Sequence, residues 1–299
     1  MRKTILSLIT LMVFCLVAVF VFIPSQIVIK GSKMVYQPTA SVIRGMLDTS
    51  RWSEWMPKDI SLQPTGSLVA TIQGELDQDG VRVPVEFSIQ AGEKNISTID
   101  YLTTMDNAQW SPFTRVQYFL FAKNIQNKLD KVITAASNYY NYSKGIYGFE
   151  IVETKVKDSS LIAIDQTLLD TPTVDQIYQM VQQLEQHIAS HNGKIKGAPM
   201  VNITRVDANE VYTQVALPIE RDIPVEGNFT LKKMVLGNLL AVAVEGDQVK
   251  VNQAFEATKQ YIIDRQKTSP AIPFIIYNTN RLLEKDPKRW KSTINYPIY

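Results

Sequence analysis

Apolar and polar positions follow three rhythms along this chain, and each predicts a different element. Ile5 to Ile23 is nineteen residues broken only by Ser7 and Thr10. At about 1.5 Å per residue a helix of that length spans about 28 Å, close to the hydrocarbon thickness of a bilayer. Arg2 and Lys3 precede it, so the positive-inside bias predicts a single-pass anchor over residues 1–25. Its N-terminus would be cytoplasmic and its soluble domains periplasmic or otherwise extracytoplasmic, although Lys30 and Lys33 weigh against that orientation. A cleaved signal peptide is the rival reading. Against it, the stretch exceeds the usual signal core, and Val21-Phe22-Ile23-Pro24 offers no small-x-small cleavage site.

Beyond the anchor, residues 24–36 read as an extended stalk with a short strand over Gln26 to Lys30. Val42, Ile43, Met46 and Leu47 then recur at helical spacing behind Pro38. Three runs alternate with period two: Ser67 to Gly74, Val81 to Ala91 and Asn95 to Met105, separated by turn residues at 77–80 and 92–94. A strand is expected over Phe113 to Leu120. After it, Ile125, Leu129, Val132, Ile133, Ala136 and Tyr140 form one helical stripe opposite Lys123, Asn127, Lys128 and Lys131, the pattern of a helix covering a sheet. This order, with Asp48, Trp52, Trp55 and Pro57 as punctuation, resembles the START-like polyketide-cyclase superfamily (SRPBCC) over residues 26–145. The two tryptophans read better as core plugs than as ligand-stacking groups.

The remaining half repeats itself. Strand Leu161 to Thr167, an N-terminal Thr171-Pro172, a helix carrying Val174, Ile177, Val181, Leu184 and Ile188, a stop at Gly193 and two strands make the first copy. Strand Leu239 to Glu245, the cap Asp247, a helix carrying Val251, Ala254, Phe255, Thr258 and Ile262, and two more strands make the second. The closing segments match, YTQVALPIE against KSTINYPIY, so the last residues are expected to be a strand. Such units, at about 158–220 and 234–299, each cover one sheet face with a single helix. They are expected to close on each other about a pseudo-twofold axis, with a ligand-sized hollow between two sheets.

Val244-Glu245-Gly246, Ala254-Phe255, Pro273, Tyr277, Asp286 to Trp290 and Thr293 to Ile298 resemble the GyrI-like, or transcription-activator effector-binding, domain over residues 148–299. The whole is thus read as α+β: a transmembrane helix, a START-like helix-grip domain (an antiparallel sheet with a long C-terminal helix), and a duplicated strand-helix-strand-strand domain. The resemblance implies a pocket glutamate two residues before the tyrosine of the penultimate strand, serving cation binding or, in some members, hydrolysis. Here that position is Ile275, its first-repeat counterparts are Val201 and Ile203, and the position that often carries histidine is Val244.

Charge and composition narrow the function. Net charge is +2, with no basic run interleaved with aromatics, so no nucleic-acid partner is expected. The single cysteine, Cys15, lies inside the apolar stretch, which leaves no disulfide or thiol chemistry beyond it. His187 and His191 are four apart, at metal-ligand spacing, but two imidazoles make no site, and their helix end is expected to be solvated. No cofactor or metal is expected. The run 284–291 reads as a solvated basic turn whose Trp290 could border a pocket mouth.

The reading is therefore a non-enzymatic, membrane-anchored protein that binds a small hydrophobic or neutral molecule, lined by Val201, Ile203, Tyr212, Ile275, Tyr277 and Tyr296, with the Tyr277 hydroxyl orienting the guest. A hydrolase or cyclase-like enzyme, for which Asp100 and Asp106 are the available acids, and a protein-interaction scaffold of the envelope are the alternatives.

Overall fold

The computed structural model describes residues 2–156, 160–207 and 210–299. The side chains of Arg2 and Lys3, and residue 158, where the first repeat is expected to begin, lie outside the described residues. The chain is α+β and divides into two compact units, Met1–Ile146 and Tyr147–Tyr299.

The first unit opens with α1 (Arg2–Phe22), an apolar helix long enough to cross a membrane. Next come β1 (Gln26–Val35), α2 (Thr39–Leu47), β2 (Ser61–Leu68), β3 (Thr71–Gln78), β4 (Val81–Ala91), β5 (Ser97–Asp106) and α3 (Pro112–Tyr140). The strands form one antiparallel sheet in the order β1-β5-β4-β3-β2. Alternate residues Val83, Val85, Phe87 and Ile89 of β4 and Ile99 and Tyr101 of β5 are buried, while their neighbours face out. This is the period-two signature of a sheet covered on one face. The six expected stripe residues of α3 are all buried.

Three expectations for this unit are corrected. The stalk is a full ten-residue strand, since β1 pairs with β5 along its whole length, from Gln26 with Asp106 to Val35 with Ser97. The expected strand Ser67 to Gly74 straddles a hairpin: Leu68 pairs with Thr71, and β2 continues back to Ser61 as an exposed edge carrying Pro64 and a bulge, features that discourage edge-to-edge pairing. Phe113 to Leu120 is the beginning of α3, where Ser111 accepts a hydrogen bond from the Thr114 amide and Pro112 takes the first helical position. Trp52 and Trp55 are buried, their indoles donating to the Met46 carbonyl and the Tyr140 hydroxyl.

A short helix, α4 (Ser143–Tyr147), leads to the second unit. There β6 (Val152–Lys155), β7 (Ser160–Leu168), α5 (Val174–Ser190), β8 (Met200–Arg205), β9 (Val211–Ile219), β10 (Phe229–Lys233), β11 (Asn238–Glu245), α6 (Gln248–Asp264), β12 (Phe274–Tyr277) and β13 (Lys291–Ile298) follow in order. Two strand-helix-strand-strand runs, β7-α5-β8-β9 and β11-α6-β12-β13, carry similar punctuation. Thr173, not Thr171, caps α5 in a capping box with Gln176, and Asp247 caps α6 by accepting from the Lys250 amide. Both helices run 17 residues and end alike, in a left-handed residue, Asn192 (φ 50°) or Gln266 (φ 52°). The following amide then closes on the carbonyl five residues back: Gly193 on Ile188 at 2.8 Å and Lys267 on Ile262 at 3.0 Å.

The repeats do not face each other as two sheets. They join edge to edge into one eight-stranded antiparallel sheet, β10-β7-β9-β8-β12-β13-β11-β6, symmetric about the β8–β12 seam. Val201 pairs with Ile275 and Met200 with Ile276, and the Tyr277 amide donates to the Pro199 carbonyl at 2.9 Å. Pairing there satisfies backbone groups that two facing half-shells would each leave at an open edge. The outer strands β10 and β6 hold β7 and β11 from outside.

Candidate functional site

At the seam, α5 and α6 part and leave a cleft of about 1000 Å³. Alternation sends Val201 and Ile203 of β8, Ile275 and Tyr277 of β12 and Tyr296 of β13 into its lining. Val174 and Ile177 of α5 and Phe255 of α6 add apolar surface from the helices. Five of the six residues singled out from the sequence thus share one cleft.

Tyr212 does not share it. It pairs across the sheet with Thr204 and Thr167, one residue out of phase with Val201 and Ile203, and so lies on the opposite face. There its hydroxyl accepts from Gln214 at 3.1 Å, and burial, followed by the nearby Asp165 carboxylate, raises its pKa. That opposite face has its own apolar cluster of Leu161, Ala163 and Ala216 with Met200 and Met234, beside a cavity of about 390 Å³.

The charged groups of the cleft were not foreseen. Arg281, in the loop after β12, is only 4% exposed. Its guanidinium carbon stands 3.6 Å from the Tyr277 ring centre and 4.7 Å from that of Trp290, a cation within cation–π reach of two aromatic rings. Nη2 donates to Ser292 Oγ at 2.9 Å and Nη1 to Gln248 Oε1 at 3.5 Å, while Nε is buried without a partner. The loop holding it is built: the Tyr178 hydroxyl accepts from the Arg281 amide at 2.9 Å, Asn280 turns the chain by accepting from the Leu282 amide, and the Trp290 indole donates to the Glu284 carbonyl. Trp290 therefore borders the cleft, as its place in the sequence suggested, and packs its ring against Arg281.

Burial raises the pKa of Tyr277 against the opposing charge of Arg281, so this phenol is no base near neutral pH. Glu256 is the one carboxylate in the cleft lining among the described residues, and Lys259 bridges it at 2.6 Å. The acids named for an enzyme lie elsewhere. Asp100 alternates away from the buried Tyr101 to the outer face of the first unit's sheet, and Asp106 caps a turn by accepting from the Ala108 amide.

The histidine pair is also corrected. His187 is buried, its Nε2 is 3.0 Å from the Pro224 carbonyl, and its ring stacks on Phe229 at 4.2 Å. His191 Nδ1 approaches the His187 carbonyl, closing the helix end. No metal-holding group of three or more acidic, histidine or cysteine side chains occurs among the described residues.

No family model and no curated protein matches the chain. Among solved structures, the EcmrR C-terminal domain is similar over 50% of this chain and 98% of its own, at 10% identity and a TM-score of 0.45. SAV2435 bound to tetraphenylphosphonium is similar over 50% of this chain and 94% of its own, at 15% identity and a TM-score of 0.32. A hydrolase from Listeria innocua is similar over 50% and 91%, at 9% identity and a TM-score of 0.39.

Proposed function

We propose that this protein is a membrane-anchored, non-enzymatic binder of a small, largely apolar molecule, held by a GyrI-like second unit in the cleft over the β8–β12 seam. The cleft itself carries the proposal: it is large enough for such a guest and walled by Val201, Ile203, Phe255, Ile275 and Tyr296. Ile275 stands where the family resemblance places a glutamate, so the seam offers an organic cation no carboxylate, and a desolvated cation without one is costly. Among the described residues the one carboxylate of the lining, Glu256, is tied to Lys259, which supports binding over turnover.

The anchor is supported by what grips its far end. Arg115, 8% exposed, donates from Nε and Nη2 to the Ile23 carbonyl at 2.9 and 2.6 Å and stacks over Phe20 at 5.0 Å. The Asn107 amide reaches the Ser25 carbonyl at 2.7 Å. Cleavage after Ile23 would remove the carbonyl that Arg115 binds. Trp110, 95% exposed, sits on the segment that grips the anchor, and tryptophan favours the membrane–water boundary. An antiparallel sheet under the long α3 keeps a START-like reading for the first unit.

The test uses the full chain in lipid nanodiscs, with empty discs as the blank. 2-Naphthamide is expected to bind saturably, and Ile203→Trp, which thrusts an indole from β8 into the cleft, to weaken it by about tenfold or more. Equal affinity in both proteins would place the guest elsewhere. Alkaline carbonate extraction is expected to leave the chain in the membrane fraction with its N-terminus intact; a shortened, soluble product would sink the anchor.

A further inference from the structure

We infer that the molecule held in this cleft carries a carboxylate, and that Arg281 is its partner. The inference rests on the cleft being a binding site and adds the chemical class of the guest. A guanidinium has five N–H donors in a planar fork. Those of Arg281 meet two neutral acceptors, Ser292 and Gln248, the second at the limit of a hydrogen bond, and Nε meets none. No ion pair reaches Arg281 among the described residues. Buried arginines ordinarily face a carboxylate, because taking the charge out of water is costly without one. The rings of Tyr277 and Trp290 pack against the guanidinium without supplying an acceptor in the plane of its N–H groups.

The surroundings have the same sign. Of the charges lining the cleft among the described residues, Glu256 is already bonded to Lys259, which leaves no acid there for Arg281. The first turn of α5, Thr173 and Val174, also borders the cleft and adds the positive end of a 17-residue helix. A structural plug would need aromatic packing but no charge. A fork-shaped cation in a site otherwise lacking an unpaired carboxylate fits an apolar acid, whose planar group can accept two parallel N–H bonds.

Three probes of one shape decide it: 2-naphthoate, 2-naphthamide and 2-naphthylmethylammonium, each dialysed to equilibrium against the full chain in nanodiscs, with empty discs as the blank. Naphthoate is expected to bind about tenfold or more tighter than the amide, with the ammonium weakest. Arg281→Met is expected to bring naphthoate to within about twofold of the amide measured in the same variant, and Arg281→Lys to keep part of the difference. If acid and amide bind the wild-type chain equally, the charge assignment is wrong while the cleft reading stands. A naphthoate preference that survives Arg281→Met places the anion site elsewhere and overturns the inference. If none of the three exceeds the blank, the binding reading fails and takes the inference with it. Should Arg281→Met fail to fold, the wild-type ratio and Arg281→Lys still decide.

Discussion

Gly45→Val lowers the stability of the first unit by about 3 kcal/mol, the cost of overpacking a filled core, which outweighs the few tenths that valine gains over glycine in helix propensity. A Cβ at Gly45 would lie 2.7 Å from Cε1 of Tyr140, inside contact distance of a ring that is fully buried. The ring cannot retreat. Its hydroxyl donates to the Gly45 carbonyl at 2.8 Å and accepts from the Trp55 indole, so Tyr140 fastens the end of α3 to α2. Urea unfolding followed by the emission of Trp52 and Trp55 measures the loss. Adding Tyr140→Ala is expected to relieve part of it, with a coupling of about 2 kcal/mol between the two sites. Strict additivity would show that the ring and the glycine do not constrain each other.

The second large effect is in the sheet that floors the cleft. Ile294→Asn is expected to cost about 4 kcal/mol, since it removes a filled apolar contact and buries an amide with no partner. Ile294 is fully buried on β13, in register with Val242 on one side and Ile275 on the other, and so joins the second repeat's outer strand to the seam. Lys291→Asn, exposed on the same strand, is the control and should change stability by less than about 0.5 kcal/mol. Trp290 emission reports the transition. Equal small losses at both positions would mean that β13 is a dispensable terminal strand.

Those two sites mark what the sequence made legible. Where apolar residues repeat at one period over many residues, as in α3, α5 and α6, burial follows the pattern, because packing one face is what stabilises the helix. β13 was legible because a second copy of its pattern exists in β9. β6 and β10 were not: they are four- and five-residue edge strands with most side chains exposed, so their place is set by the partner strand. Phe113, Phe119 and Leu120 misled for a different reason. They are apolar and exposed, so the start of α3 carries no buried stripe.

In the cleft, alternation placed Val201, Ile203, Ile275, Tyr277 and Tyr296 on one face but gave no phase for Tyr212, which a one-residue offset sends to the other side. Arg281 had no signal at all. A single arginine in a polar loop reads as solvated, and only the fold brings Tyr277, Trp290 and Ser292 around it.

The most direct test of the account is where a guest touches the protein. A naphthyl diazirine, photolysed on the full chain in nanodiscs and mapped by peptide mass spectrometry, is expected to label Val201, Ile203, Phe255, Ile275 or Tyr296. Label confined to the opposite-face cavity around Met234 and Ile272, or none above that on empty discs, would contradict it.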